Sequence, residues 1–110
     1  MISRKTAYAA TSLREHALYL EENAGLEVAE RYLNAVEDTL AFIYQEPGIG
    51  SPCDFTHPRL KNMRRWPVRD FENYLLFYQE TEKGIVLLYV FHGRQDIDAI
   101  LSEPPDDSES

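Results

Sequence analysis

The order of structural elements in this chain is decided by residues 63–101, which read MRRWPVRDFENYLLFYQETEKGIVLLYVFHGRQDIDAIL. Three runs rich in β-branched and aromatic residues are followed by a polar cluster and a short apolar tail. The last run is apolar at both alternating sets of positions, which is typical of a central strand covered on both faces. The predicted elements are strands at Arg59–Val68, Tyr74–Gln79 and Ile85–His92, a turn at Glu80–Gly84, and a helix at Ile97–Leu101 with Asp96 as its N-cap.

Two helices are predicted before this stretch, because apolar residues recur there at spacings of three and four. Gly25 separates the two periodic segments, and Pro47-Gly48 closes the second. A break this short predicts an antiparallel helix hairpin. The predicted apolar stripes are Ala10, Leu13, Ala17, Leu20 and Ala24 in the first helix, and Leu26, Ala29, Leu33, Val36, Leu40 and Ile43 in the second. We therefore expect an α+β fold: an N-terminal helix hairpin packed on a small antiparallel sheet of three to four strands, with a short C-terminal helix.

The two ends of the chain are less regular than its middle. Residues 1–6 contain few apolar positions, so they fit either a short edge strand or the first turn of the helix that follows. Residues 102–110 consist of Pro, Ser and acidic residues, a composition typical of disorder. We therefore expect a single domain at 1–101 and a disordered acidic tail at 102–110.

The composition limits the classes of partner. The chain has 110 residues and 44% hydrophobic content, which suits one domain with a modest core. Its 19 acidic and 11 basic residues give a net charge of −8, which disfavours direct sequence-specific binding to nucleic acid and fits a basic partner or simple solubility. The single cysteine, Cys53, excludes an intrachain disulfide. Neither a membrane span nor a signal peptide is evident, so we expect a cytoplasmic protein.

A local reversal of charge lies between Arg59 and Arg69, a run without acidic residues beside Trp66. On a strand, Arg59, Lys61 and Arg65 would share one face and Arg64 would point to the other. One interpretation is a basic ridge that binds an anion or an acidic partner segment. The other is a set of edge-strand charges that prevent aggregation and pair with the acidic helices. The ridge residues are Arg59, Lys61, Arg64, Arg65 and Arg69.

A second polar cluster, His92, Arg94 and Asp96, follows the central strand. Histidine titrates near neutral pH, so this cluster fits an acid–base or phosphate site. The alternative, which we favour for Asp96, is that it caps the last helix. Metal binding is not expected, because Cys53 and His57 have no second pair of ligands at zinc spacing. No cofactor motif is present either.

The chain resembles the ParE/RelE superfamily of toxins from type II toxin–antitoxin systems, most closely the ParE branch. The resemblance extends over nearly the whole chain and rests on an ordered set of short segments. These are Leu20-Glu21-Glu22-Asn23, Ala29-Glu30-Arg31-Tyr32, Pro47-Gly48-Ile49-Gly50, Met63-Arg64, Trp66-Pro67-Val68, Phe71-Glu72-Asn73-Tyr74, Tyr78 and His92-Gly93-Arg94-Gln95-Asp96-Ile97.

The resemblance implies a growth-arresting, plasmid-stabilisation-like toxin, held inactive in a hetero-oligomer by a cognate antitoxin. ParE-type toxins poison DNA gyrase, whereas RelE-type toxins cut mRNA on the ribosome with cationic side chains and often a C-terminal Tyr. Only one cation, Arg94, and no Tyr follow His92 here, so the RelE-like set is incomplete. We therefore expect a binding protein and not an enzyme; a ribosome-dependent endoribonuclease and a non-toxic, antitoxin-binding family member remain alternatives.

The resemblance and the charge pattern together define the predicted site residues. The antitoxin is expected to place an amphipathic segment in the groove between helix hairpin and sheet, and the C-terminal helix is expected near the target. The predicted partner-facing residues are Arg59, Lys61, Arg64, Arg65, Trp66, Arg69, Arg94, Ile97 and Leu101. A nuclease would instead use Arg64, Arg65, His92 and Arg94.

Overall fold

Two long helices cover one face of a five-stranded sheet in the computed structural model, which describes residues 3–105. Single 3₁₀ turns at Pro47–Ile49 and Pro58–Leu60 interrupt the connection between the second helix and the third strand. The helices are α1 (Ala7–Ala24), α2 (Leu26–Gln45) and α3 (Ile97–Ser102). The strands are β1 (Ser3–Lys5), β2 (Ser51–Pro52), β3 (Arg64–Val68), β4 (Phe71–Thr81) and β5 (Gly84–His92).

The sheet is larger than predicted and is not wholly antiparallel. Its strand order is β1-β5-β4-β3-β2, with β1 parallel to β5 and the other pairs antiparallel. The expectation of three to four antiparallel strands was therefore wrong, although the α+β class, the two N-terminal helices and the short C-terminal helix are confirmed. The two additional strands have three and two residues, too few for an alternating pattern.

The helix hairpin begins and ends where the sequence indicates. The Thr6 hydroxyl accepts a hydrogen bond from Ala9 N at 3.0 Å, which caps α1, and donates one to Leu88 O on β5 at 2.8 Å. Gly25 separates α1 from α2 with φ +100°, a value that other residues rarely adopt. Of the stripe predicted for α2, Leu26 and Leu33 are 59% and 40% exposed. The buried face of α2 instead contains Tyr32 and Thr39, together with Ala29, Val36, Leu40 and Ile43.

Apolar clusters lie on both faces of the sheet. The first cluster joins α1 and α2 to β4 and β5 through residues such as Val36, Leu76 and Leu87. The second joins the opposite face of the sheet to α3 and to the segment between β2 and β3, and includes Leu60 and Leu101. Strand β5 contributes to both clusters, as its apolar pattern predicts.

The predicted strand Arg59–Val68 was wrong in its first half. Pro58 opens a 3₁₀ turn, Leu60 N donates to His57 O at 2.9 Å, and Asn62 has φ +62°. Arg59 and Lys61 therefore do not alternate with Arg65 on one strand. This segment lies over the second face of the sheet, where the Gln79 amide donates to the backbone oxygens of both residues at 3.0 and 2.7 Å.

The C-terminal helix is capped as predicted, because Asp96 Oδ1 accepts from Ala99 N at 3.2 Å. Of the tail predicted to be disordered, Ser102 ends α3, and Pro104 is buried with its carbonyl 2.8 Å from Arg59 Nη2. Residues 106–110 of that tail, like residues 1–2, lie outside the described residues. No helix within 3–105 has the length and apolar character needed to cross a membrane.

Candidate partner-binding surfaces

The two neighbouring arginines of β3 point to opposite faces of the sheet, as predicted. Arg64 pairs across the ladder with Tyr78 of the helix-side cluster, and Arg65 pairs with Phe77 of the second cluster. Arg64 is half-buried, and its Nη1 donates to Gly50 O at 2.7 Å. Arg65 is exposed. Arg64 therefore supports a loop, whereas Arg65 is available to a partner.

The loop that Arg64 supports is also held by the buried side chain of Tyr78. The Tyr78 hydroxyl accepts from Gly50 N at 2.9 Å and donates to Pro47 O at 2.7 Å. Tyr78 has no exposed surface, and burial raises the pKa of its hydroxyl. These contacts give a structural role to Gly50 and Tyr78, two members of the family pattern. They also leave the Tyr78 hydroxyl without access to a substrate.

An open groove runs between α2 and the edge of the sheet at β3, and we call it the α2 groove. A pocket of about 400 Å³ within it is lined by Phe42, Trp66 and Arg69, together with Asp38, Thr39, Pro67 and Glu72. Phe42 is 51% exposed, and its ring centroid lies 6.1 Å from that of Trp66. An adjoining pocket of about 300 Å³ shares Asp38 and Arg69. The groove therefore combines exposed aromatic side chains with one arginine, Arg69, and two carboxylates, Asp38 and Glu72.

Arg69 reaches this position because the β3–β4 turn is tied to α2. Its backbone N–H donates to the hydroxyl of Thr39 at 3.1 Å, and that hydroxyl donates to Ala35 O at 2.7 Å. Asp70, the next residue of the turn, has φ +67°. Among residues 3–105, neither Arg69 nor Arg65 forms an ion pair with a carboxylate. Their charges therefore remain available at the surface.

The remaining ridge residues lie on the other face of the sheet. Arg59 Nη2 donates to the carbonyls of Pro104 and Pro105, at 2.8 and 3.3 Å, so it fastens the C-terminal segment. Lys61 is exposed beside it. The predicted ridge is thus divided by the sheet into a helix-side part with Arg64, Trp66 and Arg69 and an opposite part with Arg59, Lys61 and Arg65.

A pocket of about 760 Å³ opens beside the start of β3 and is lined by Cys53, Met63, Arg64 and Glu80, with Pro52, Asn62, Thr81 and Glu82. Burial raises the pKa of the Cys53 thiol, which opposes formation of a reactive thiolate. Within the described part of the chain, no three His, Cys, Asp or Glu side chains are grouped in a way that could hold a metal ion.

A further pocket of about 430 Å³ opens where α1 meets the end of β5, and we call it the His92 pocket. It is lined by His16, Tyr74, His92 and Arg94, together with Glu15, Tyr19 and Gln95. The Tyr74 ring packs against both imidazoles, with a centroid distance of 4.9 Å to each. Asp96 does not line this pocket, because it caps α3.

The buried side of the His92 pocket favours a neutral imidazole. Burial, with a smaller contribution from nearby His92, lowers the pKa of His16 from 6.5 to about 4. His16 Nδ1 lies 2.9 Å from the hydroxyl of Tyr32, whose own pKa is raised by burial. His16 therefore packs against Tyr32 and Tyr74, and the same position places it at a pocket wall.

The structure does not bring the four nuclease candidates into one site. Arg64 pairs with Tyr78 on β4, whereas His92, on the strand at the other side of β4, pairs with Tyr74 four residues away. At about 3.3 Å per residue, this separates them by roughly 13 Å along the strands in addition to the two strand spacings between them. Arg65 lies on the opposite face from Arg64. A shared catalytic centre would require these groups to meet at one phosphate.

The C-terminal helix contributes less surface than predicted. Leu101 was expected to face a partner but is only 1% exposed and belongs to the second apolar cluster, so that assignment was wrong. Ile97 is half-buried against the same cluster. The sequence analysis also missed Phe42, Tyr19 and Glu15. An available signal was Phe42 itself, a large apolar residue outside the predicted stripe of α2.

Comparison with known proteins agrees with the resemblance read from the sequence. Residues 4–97 match the model of the family described as "ParE toxin of type II toxin-antitoxin system, parDE". The match includes both helices of the hairpin and all strands except the first residue of β1. A search of curated proteins found no match. Because the family model extends over most of the sequence, the chain belongs to the ParE toxin family of type II toxin–antitoxin systems.

Proposed function

We propose that this toxin arrests growth by binding and poisoning DNA gyrase, without cleaving RNA, and that a cognate antitoxin neutralises it by occupying the α2 groove. The observation that carries the proposal is the groove itself, in which Phe42 and Trp66 are accessible beside Arg69. Such a surface suits an apolar anchor flanked by an acidic residue. The separation of Arg64 from His92 supports binding over catalysis.

The antitoxin segment that fits the groove is an amphipathic helix or strand with two kinds of side chain. Its apolar residues would pack on Phe42 and Trp66, and an acidic residue would pair with Arg69. Arg69 lacks a carboxylate partner within residues 3–105, so the pairing displaces no ion pair of the described chain. Asp38 and Glu72 also line the groove and would repel an acidic residue placed away from Arg69.

Inducible expression without the antitoxin tests the toxic activity, and purified gyrase tests the target. We expect growth arrest with filamentation and a DNA-damage response, and inhibition of gyrase-catalysed supercoiling or accumulation of gyrase–DNA cleavage complexes in vitro. Arrest of translation with cleaved mRNA and unaffected gyrase would contradict the proposal and favour the endoribonuclease alternative. Absence of any growth effect, with the antitoxin still bound, would identify a non-toxic family member.

Charge reversal tests the antitoxin surface. The variant Arg69→Glu should weaken antitoxin binding at least tenfold and make its affinity less dependent on salt, because rim charges act through screened electrostatics. Arg64→Glu is unsuitable for this test, because it would also release Gly50. Arg14→Glu on the exposed side of α1 is the matched control and should bind normally. Equal affinity and salt dependence for Arg69→Glu and the wild type would refute the assignment.

A further inference from the structure

The His92 pocket has a donor set that the ParE assignment does not use. Two imidazoles, a guanidinium and the Gln95 amide surround a space of about 430 Å³ with the Tyr74 ring as one wall. The carboxylate of Glu15 is the single acidic group among the lining residues. What such a pocket binds depends on which atoms carry protons, and the hydrogen bonds around the two imidazoles determine this.

The proton position on His92 follows from a backbone contact. The N–H of Arg94 donates to His92 Nδ1 at 3.1 Å, so Nδ1 is an acceptor. In a neutral imidazole with an accepting Nδ1, the proton resides on Nε2. The ring is also held at its backbone, because His92 N donates to Gln95 Oε1 at 2.7 Å. His92 therefore has an N–H group left to donate.

The proton position on His16 follows from the need to satisfy a buried hydroxyl. Tyr32 has no exposed surface, and within residues 3–105 His16 Nδ1 is the acceptor available to its hydroxyl proton, at 2.9 Å. A buried O–H without an acceptor is costly, so the hydroxyl donates and Nδ1 accepts. The low pKa of His16 keeps the ring neutral at pH 7. His16 thus also has Nε2–H as its remaining donor.

The charge of the pocket selects the kind of anion. Arg94 is exposed and forms no ion pair with a carboxylate of residues 3–105, so it supplies one positive charge. The two imidazoles add N–H donors, and the Glu15 carboxylate repels any anion and a dianion most strongly. A singly charged carboxylate matches one guanidinium with neutral donors around it. A phosphate dianion would need at least one further cation.

The surroundings of the pocket indicate that the carboxylate belongs to a polypeptide. Tyr19 on α1 lines the pocket and is 60% exposed, which provides an apolar contact for a residue that flanks the acidic one. We propose that the His92 pocket binds an aspartate or glutamate side chain of a partner polypeptide, with the Arg94 guanidinium and the two imidazole N–H groups holding the carboxylate beside the Tyr74 ring. This inference requires neither gyrase as target nor occupation of the α2 groove.

An NMR titration of the full-length protein tests the proposal with the blocked dipeptide N-acetyl-Glu-Leu-amide as probe. We expect saturable shifts of the Arg94 amide and of the His16 and His92 ring signals, with a Kd on the order of millimolar, as suits a ligand this short. The neutral N-acetyl-Gln-Leu-amide should bind at least tenfold more weakly. Equal affinity of the two dipeptides, or shifts confined to Arg65 and Arg69, would overturn the proposal.

Three variants and two further anions serve as controls for this titration. Arg94→Gln should weaken dipeptide binding at least tenfold, and Arg94→Lys should give an intermediate affinity, because a lysine keeps the charge but not the planar fork. Arg69→Gln, a matched loss of charge in the α2 groove, should bind the dipeptide like the wild type. Acetate that binds as tightly as the dipeptide would show an adventitious ion only. Inorganic phosphate that binds more tightly would assign the pocket to phosphate instead.

Discussion

The α2 groove, which lies beside β3, and the His92 pocket, which lies where α1 meets the end of β5, have different physical properties. The groove exposes aromatic side chains, and its cation reaches it from a turn anchored by Thr39. In the pocket, internal hydrogen bonds fix the donors before any ligand arrives, through Tyr32 for His16 and through the Arg94 backbone for His92. The groove is therefore suited to burying apolar area, and the pocket to orienting one polar group.

This difference predicts different sensitivities. A surface dominated by exposed rings and rim charges should respond to changes in side-chain size and to salt. A preorganised polar pocket should respond to pH and to the loss of single hydrogen bonds. Each substitution below removes a contact that stabilises one of the two regions. A result opposite to the one expected would contradict the difference described here between the groove and the pocket.

The largest effect on stability is expected at Gly50, which lies in the loop that Arg64 and Tyr78 hold on the helix-covered side of the sheet. A Cβ added there would lie 2.5 Å from the Tyr78 hydroxyl and 2.9 Å from the backbone oxygen of Arg65. Gly50→Ala should lower the free energy of unfolding by about 3 kcal/mol, because overpacking displaces the hydroxyl that holds the loop. Chemical denaturation measures this, with Gly48→Ala as matched control, since nothing lies within 4 Å of a Cβ there. Equal effects at both glycines would contradict the close contact.

His16, which lines the His92 pocket, should make the free energy of unfolding depend on pH. Its pKa is about 4 in the folded protein, against an ordinary value of 6.5 for a solvated histidine, so the unfolded chain binds more protons between these values. Stability from this group is complete above pH 6.5 and decreases as the pH falls towards 4, by about 2 kcal/mol after allowance for the partial exposure of the ring.

Denaturation of the wild type and of His16→Gln across pH 4–7 isolates this contribution, because both proteins contain the same carboxylates. The difference in their unfolding free energies should shrink as the pH falls. A difference that stays constant over this range would show that burial of His16 does not oppose its protonation.

A third prediction compares the two neighbouring arginines of β3. Arg64→Ala removes a hydrogen bond to Gly50 O and should lower the free energy of unfolding by about 1.5 kcal/mol. Arg65→Ala, on the exposed side, should change it by less than about 0.5 kcal/mol. Thermal denaturation distinguishes the two, and a larger loss for Arg65 would reverse the roles of these two side chains.

The smallest effect is expected at the cap of α3. Asp96→Ala removes the side-chain acceptor of Ala99 N and should cost about 1 kcal/mol. Asp98→Ala, within the first turn of the same helix, leaves the cap in place and should cost less. If the titration with N-acetyl-Glu-Leu-amide is unchanged in Asp96→Ala, the cap acts on stability alone.

Much of the fold could be predicted because its long elements have strong periodic patterns. Gly25 marked the end of α1, and the doubly apolar pattern of Ile85–His92 placed β5 inside the sheet. Residues 3–5 form β1, the edge-strand alternative given for residues 1–6, but its short polar sequence could not decide between strand and helix. Strand β2 was not predicted, because its two residues are too few for a pattern. Pro58 was the overlooked signal that residues 59–61 form a turn and not a strand.

The candidate site was only partly predictable for the same reason. Alternation along β3 correctly placed Arg64 and Arg65 on opposite faces, but no local pattern reveals that Arg64 is engaged with Gly50. His16 and His92 are far apart in sequence, and they meet at Tyr74 only when the helix hairpin docks on the sheet. Distances between elements, and not the character of single residues, therefore decide which side chains share a pocket.

The pairing of the first strand with β5 has a consequence for biosynthesis. Thr6 binds a carbonyl 82 positions later, and β1 has its ladder partner on β5. A growing chain on the ribosome therefore cannot complete its sheet until β5 has emerged, and loop closure over such a separation is slow. A newly made copy of this toxin thus holds β1 and Thr6 without their partners until residues 84–92 are outside the ribosome.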